Sequence, residues 1–275
     1  MSSLRRKDFR LLMLLGLGQT SQVHLAEAPG GERVALKLPR KEVRANPALA
    51  ERFAREVSFS LALKHPHLVR GLHGVPFGEE AFLALEYFPQ GTLEEALAKG
   101  PLPREEAVRA LLQVGEALLF LHGKGFLHQD VKPSNVFVGE GGYKLGDLGT
   151  LRPLGEATAE YAGSPHYLAP ELFLGALPSP KSEAYSFGVM AYELLTGRRP
   201  FRGETLEALR NAHLLLPPPP THLPPRLDRA LRRLLAKNPE ERMALRDFLE
   251  VLRNPDGPPT QETPGKPKRF PFWRK

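Results

Sequence analysis

The chain has 275 residues, 41% apolar and 25% charged, a balance that suits a globular protein of one large domain or two lobes. It contains no cysteine, which excludes disulfides, thiolate metal sites and a cysteine nucleophile. The net charge of +7 is concentrated at the ends, +3 in the first ten residues and +3 in the last twenty-two, so the near-neutral body offers no groove for specific nucleic-acid binding.

Residues 1–8 form a basic extension. It runs into "LRRKDFRLLMLLGLG", which has the positive start and apolar run of a signal peptide. The run stops at Gly16 with no convincing cleavage site, so it reads as a strand entering a glycine turn. No stretch approaches the roughly eighteen apolar residues of a membrane span, and a cytoplasmic placement is expected. Residues 9–15 and 22–28 are short apolar runs joined by "GLGQTS"; "PGGE" at 29–32 is a turn and "RVALKL" at 33–38 alternates like a half-buried strand. Residues 47–64 have helical spacing with Pro47 near the start, and "LVRGLHGV" and "AFLALEY" are strands around a turn at Gly78.

Beyond residue 88 helices dominate. "TLEEALAKG" is one, and "REEAVRALLQVGEALLFLHGKG" is a long one ended by Gly123 and Gly125. Two short strands, "VFVG" and "YKLGD", flank a Gly-Gly turn, and helices return at 182–196, 204–212, 226–236 and 244–252. "PPPPTHLPP" at 217–225 is a stiff loop. Residues 254–275, rich in Pro, Gly and charge, are expected to be disordered. The chain therefore divides into a small strand-rich lobe at 9–88, a helical lobe at 89–253 and a basic tail.

Several residues carry chemistry. "GLGQTSQV" lies between two strands, where its backbone N–H groups could close over phosphates; hairpins use such glycines for geometry alone, so the turn is weak evidence by itself. Lys37 ends the "VALK" strand, and if buried it needs a carboxylate, for which Glu56 on the following helix is the natural partner. Asp130, Lys132 and Asn135 in "HQDVKPSN" and Asp147 in "GDLG" put four phosphate- or metal-competent groups within eighteen residues. One Asn and one Asp supply oxygen ligands suited to Mg²⁺, which keeps several waters and binds together with phosphates.

In this order the motifs resemble those of the eukaryotic-type (Hanks-type, bacterial) serine/threonine protein kinases, over residues 9–253. The matches are "GLGQTSQV", "VALK", the helix acid Glu56, "EYF" at 86–88 behind Leu85, "HQDVKPSN", "DLG", "APE" at 169–171 and Arg242 in "NPEERM". The resemblance implies an α+β, two-lobed fold: a small β-rich N-lobe with one main helix, and a larger mainly helical C-lobe. It implies ATP as phosphoryl donor with Mg²⁺, replaceable by Mn²⁺, and Ser/Thr hydroxyls of protein substrates, this chain included, as acceptors. Leu15, Gly16, Leu17, Gly18, Val23, Ala35, Leu85, Glu86, Phe88 and Phe137 would surround the nucleotide, and Lys37 would hold its α- and β-phosphates. Asn135 and Asp147 would bind metal, Asp130 would accept the substrate proton, and Lys132 would neutralise the transferring group. Glu171 and Arg242 would pair, and Thr150, Thr158 and Ser164 would lie on the activation segment, Ser164 bonding to the catalytic loop.

Four residues depart from the family pattern: Gln129 for arginine, Leu148 for phenylalanine, Ser21 for a flap glycine, and Glu183 for the aspartate that anchors the catalytic loop. Gln129 brings no positive charge, so basal activity is expected not to require phosphorylation at Thr150, Thr158 or Tyr161, although Arg152 could serve as an alternative phosphate partner. A pseudokinase scaffold would be expected to lack one of Lys37, Asp130, Asn135 or Asp147, and all four are present. A small-molecule phosphotransferase fits "GSPHYLAPE" less well, because that segment resembles a protein-substrate platform. The tail "PGKPKRFPFWRK" has five cations with Phe270, Phe272 and Trp273, which suits either an inert solvated end or peripheral docking of residues 264–275 to an anionic membrane or acidic partner.

Overall fold

A computed structural model of the chain describes residues 4–156 and 163–257. Five antiparallel strands open the fold: β1 (Arg10–Leu17), β2 (Ser21–Glu27), β3 (Arg33–Pro39), β4 (Gly71–Val75) and β5 (Phe82–Glu86), in the order β1-β2-β3-β5-β4. The signal-peptide-like run is thus the edge strand β1. Between β3 and β4 lie the short helix α1 (Lys41–Ala45), which the sequence reading had not placed, and α2 (Pro47–Ala62).

Local chemistry explains where α2 begins. The Asn46 side chain accepts from the N–H groups of Ala48 and Leu49 at 3.0 and 3.2 Å, and Pro47 supplies a first-turn φ without needing a hydrogen bond. Phe53, Val57, Ala81 and Leu83 then pack α2 on the sheet. Two glycines of β4 let the helix come close: a Cβ at Gly71 would lie 2.6 Å from the Ser60 backbone, and one at Gly74 2.7 Å from Val57. On the other sheet face Phe9, Val34, Leu36, Leu38, Phe82 and Ala84 form a second small core.

The second lobe contains α3 (Leu93–Ala98), α4 (Arg104–Gly123), α5 (Pro170–Phe173), α6 (Pro180–Thr196), α7 (Leu206–Leu215), α8 (Pro225–Leu234) and α9 (Leu245–Arg253). Small strand pairs β6 (Phe126–Leu127) with β9 (Arg152–Pro153), and β7 (Val136–Gly139) with β8 (Gly142–Leu145), face the first lobe. α6 is buried along almost its whole length, starts on a Ser179 cap and ends at Gly197 with φ 74°. Two expectations shift. Gly123 belongs to α4, and the chain turns at Gly125, whose φ of 82° is the left-handed conformation glycine tolerates. The helix expected at 204–212 instead runs to Leu215, before the proline loop. The result is the expected α+β two-lobed architecture. No helix among the described residues is long and apolar enough to cross a membrane.

Candidate active site between the lobes

β2, β3 and β5 present one face to the cleft. Gly16 pairs with Val23, Val23 with Lys37, and Ala35 with Leu85, so these residues share a face while Val34 and Leu36 point into the core behind. Leu15 and Leu17 are exposed, and Gly18 closes the turn by donating to the Ser21 carbonyl at 2.9 Å. Below, the Phe137 ring lies 5.4 Å from that of Phe88. The Glu86 N–H donates to the Arg70 carbonyl at 3.0 Å and its carboxylate binds Lys144 at 2.8 Å. Among the described residues the Phe88 N–H has no intrachain acceptor.

Lys37 donates to Glu56 at 2.5 Å and to Asp147 at 3.4 Å. Burial alone would favour the neutral amine, but the two carboxylates outweigh it and hold Lys37 above its ordinary value. Asp147 is held below the usual carboxylate range by the Lys37 charge, against the opposing effect of burial. Burial raises Glu56, with Lys37 opposing it. Asp147 adopts φ 58°, a left-handed conformation rare outside glycine and asparagine, which turns the chain at the start of "DLG".

The loop at 128–135 converges on Asp130. One Asp130 oxygen accepts from the Ser164 N–H at 3.1 Å and the Ser164 hydroxyl at 3.2 Å; the other accepts from Lys132 at 2.7 Å and the Asn135 amide at 3.0 Å. Lys132 also donates to the Ser164 hydroxyl at 2.8 Å. The Asn135 amide nitrogen is further tied to the Asp130 carbonyl at 2.8 Å, so its Oδ1 remains available as a ligand. Among the described residues no group of three or more His, Asp or Glu side chains could hold a metal by itself. One amide oxygen and one carboxylate instead fit a Mg²⁺ ion that shares its coordination with phosphates and water.

The supporting contacts span long stretches of sequence. Glu183 accepts from the Gln129 N–H at 2.7 Å with one oxygen and contacts His122 Nε2 at 2.6 Å with the other. Its longer side chain therefore makes both anchoring contacts, and the backbone of Gln129 holds φ 70° above it. Among the described residues the buried Gln129 Oε1 has no hydrogen-bond partner. His128 is fully buried and contacts the Gly146 carbonyl at 2.8 Å, and Leu148 is also buried. Arg242 forks onto Glu171 at 2.7 and 2.9 Å with its side chain entirely buried.

Thr150 lies on the activation segment. Its hydroxyl is buried and donates to the His128 carbonyl at 2.7 Å, so it is committed to the core of the loop. Thr158 and Tyr161 fall outside the described residues, as do Phe270, Phe272 and Trp273 of the tail. Arg52, Arg55 and Arg152 line one small cleft against Gly149–Leu151. Arg52 donates to the Gly149 carbonyl at 3.1 Å, and Arg55 approaches Glu156 at 4.0 Å. Sequence reasoning missed His122, 61 positions from Glu183, and the close approach of Ser60 to Gly71, because neither spacing has a local signature.

A two-lobed α+β fold, with a lysine–glutamate pair above a loop that offers Asp, Lys and Asn, defines a phosphotransferase-type cleft. The comparisons agree: residues 9–252 match the protein kinase domain, and the chain belongs to that family. It is 35% identical over 234 residues to the serine/threonine-protein kinase pkn2 of Myxococcus xanthus, covering 81% of this chain and 28% of that protein. It is 33% identical to the serine/threonine-protein kinase PknB of Mycolicibacterium smegmatis, covering 85% of this chain and 40% of the relative. Against the serine/threonine-protein kinase PknA of Mycobacterium tuberculosis it is 34% identical, covering 85% and 58%. The chain thus spans less than two thirds of the length of each of these relatives.

Proposed function

We propose that the chain is an ATP-dependent protein kinase that transfers the γ-phosphoryl group to Ser or Thr hydroxyls of protein substrates. The observation that carries this reading is the double fixing of Asp130. Lys132 and Asn135 hold one oxygen and Ser164 the other, so the carboxylate is held in one orientation.

In this reading Asp130 orients the acceptor hydroxyl and takes its proton as the hydroxyl oxygen attacks the γ-phosphorus and the bond to the bridging β,γ-oxygen breaks, releasing ADP. Lys132 neutralises charge on the transferring group. Lys37, kept cationic by Glu56 and Asp147, holds the α- and β-phosphates. The Phe88 N–H meets the adenine edge between Ala35, Leu85 and Phe137. When bound, Mg²⁺ neutralises the phosphate oxygens, and the Asn135 Oδ1 and Asp147 would hold it.

Gln129 supplies no cation to a phosphorylated segment. The cations near Gly149–Glu156 come from α2 and β9, and two of them already have partners, the Gly149 carbonyl and Glu156. Basal transfer is therefore expected to be independent of segment phosphorylation. The test is transfer of labelled phosphate from Mg-ATP to a basic protein. Wild type, before and after phosphatase treatment, should transfer equally, while Asp130→Asn should lose about 10²–10⁴-fold in kcat with nucleotide affinity retained. Undiminished transfer by Asp130→Asn would remove Asp130 from the reaction, and loss after phosphatase would show a phosphorylation switch that survives without an arginine at position 129.

A further inference from the structure

β1 is the edge of the five-stranded sheet, and among the described residues no strand covers its outer side. Along it Leu11, Leu12, Met13 and Leu14 are between 39 and 56% exposed. Leu15 and Leu17 are also exposed, but they belong to the glycine turn proposed to cover the nucleotide, which gives their exposure a reason. Of the residues before them, Leu11 and Leu14 pair with Ala26 and His24 on the face away from the cleft, and Met13 pairs with Leu25 on the other face. Both faces of this edge are therefore apolar, and among the described residues the outward row of backbone N–H and C=O groups beside them has no strand partner.

Edge strands are ordinarily protected by a charge, a proline or a covering element. Residues 11–23 contain no charged residue and no proline. The register shifts of β1, between Leu11 and Met13 and between Leu14 and Gly16, lie in its pairing with β2. Such a strand suits a partner strand that is itself uncharged, apolar on both faces and open along one edge.

We propose that the partner is a second copy of this chain, with the two β1 strands pairing antiparallel across a two-fold axis near Met13. Charge selects this arrangement. A parallel pairing would set Arg10 against Arg10, and like charges opposite one another across strands are destabilising. The antiparallel pairing places the two Arg10 side chains at opposite ends of the shared ladder, about 20 Å apart at 3.4 Å per residue. Each Arg10, already bonded to Glu27 at 3.1 Å, then lies beside the Gly16–Gly18 turn of the other copy. The contact is isologous, so it closes at two copies and cannot grow into a filament.

The test uses the full chain. Light scattering across the micromolar range should give twice the chain mass for wild type. Met13→Lys and Met13→Glu should each fall to the monomer mass, because each opposes its own charge across the axis, and an equimolar mixture of the two should return to the dimer mass. A wild type that stays monomeric would overturn the proposal, whether its edge is free or covered by another segment or partner. So would charged variants that remain dimeric, or a mixture that remains monomeric. A size-conserving probe guards against misfolding of the charged variants. The chain lacks cysteine, so Met13→Cys introduces a single thiol. Mild oxidation should link it into a disulfide dimer, whereas Glu207→Cys, exposed on α7, should remain single; equal linking of both would equally overturn the assignment.

Discussion

His213 is a buried titratable group with no part in the proposed reaction. It is fully buried, its Nδ1 lies 3.0 Å from the Tyr185 hydroxyl, and its carbonyl accepts from Lys237 at 2.6 Å. Phe201 and Phe173 pack around the ring. Burial first, and then the charge of Lys237, push its pKa from 6.5 down to about 3, with His166 also nearby. Between those two values the unfolded chain binds a proton that the folded protein refuses, so stability there rises with pH. It is fully present above 6.5 and lost as pH falls toward 3, at about 1.4 kcal/mol per unit. Urea unfolding at pH 7 and pH 5 should show wild type losing about 2 kcal/mol more than His213→Gln across that interval. Identical pH dependence in the two proteins would place the acid sensitivity elsewhere.

At the scale of elements, the site depends on how closely α2 lies on β4. Glu56 projects from α2 to Lys37, and the helix reaches that position because Gly71 and Gly74 leave room for Ser60 and Val57. Gly71→Ala would place a Cβ 2.6 Å from the Ser60 backbone, which cannot move aside as a side-chain tip can. Overpacking of this kind costs typically about 1–3 kcal/mol, and here the relief is outward movement of α2. The melting temperature should fall, and nucleotide affinity should fall with it as Lys37 loses its carboxylate partner. A lower melting temperature with unchanged affinity would mean that the helix position and the lysine are not coupled. The carboxylate of Glu183, shared between the Gln129 N–H and His122, ties α6 to α4 and the catalytic loop in the same way.

Over the whole molecule, the proposed nucleotide would bridge both lobes, touching β3 through Lys37, the hinge through Phe88 and the helical lobe through Asn135 and Asp147. A ligand that binds only the folded state stabilises it by about 2.7 kcal/mol at a hundredfold excess over Kd. For a chain of this size that corresponds to a rise in melting temperature of roughly 5–10 °C. Mg-ATP should produce a rise of this order in wild type, and Asp147→Asn should lose the part that requires Mg²⁺. A shift that is the same with and without Mg²⁺ in wild type would remove Asp147 and Asn135 from metal binding.

The sequence by itself determined the order of elements and the family. The alternation of "RVALKL", the Asn46–Pro47 helix start and the succession of Lys37, Glu56, Asp130, Asn135 and Asp147 are local or collinear features that survive without coordinates. Short elements were not legible: five-residue α1 is too brief for a helical period, and the two-residue strands β6 and β9 exist only because they pair with one another. Tertiary structure alone decided which functional groups meet. Lys37 reaches Asp147 across 110 positions, and the Thr150 hydroxyl turns inward to the His128 carbonyl. The same holds for β1, whose apolar run reads equally well as a buried strand. Its place at the sheet edge follows from strand order, which hydrogen bonds between distant segments set and no local pattern encodes.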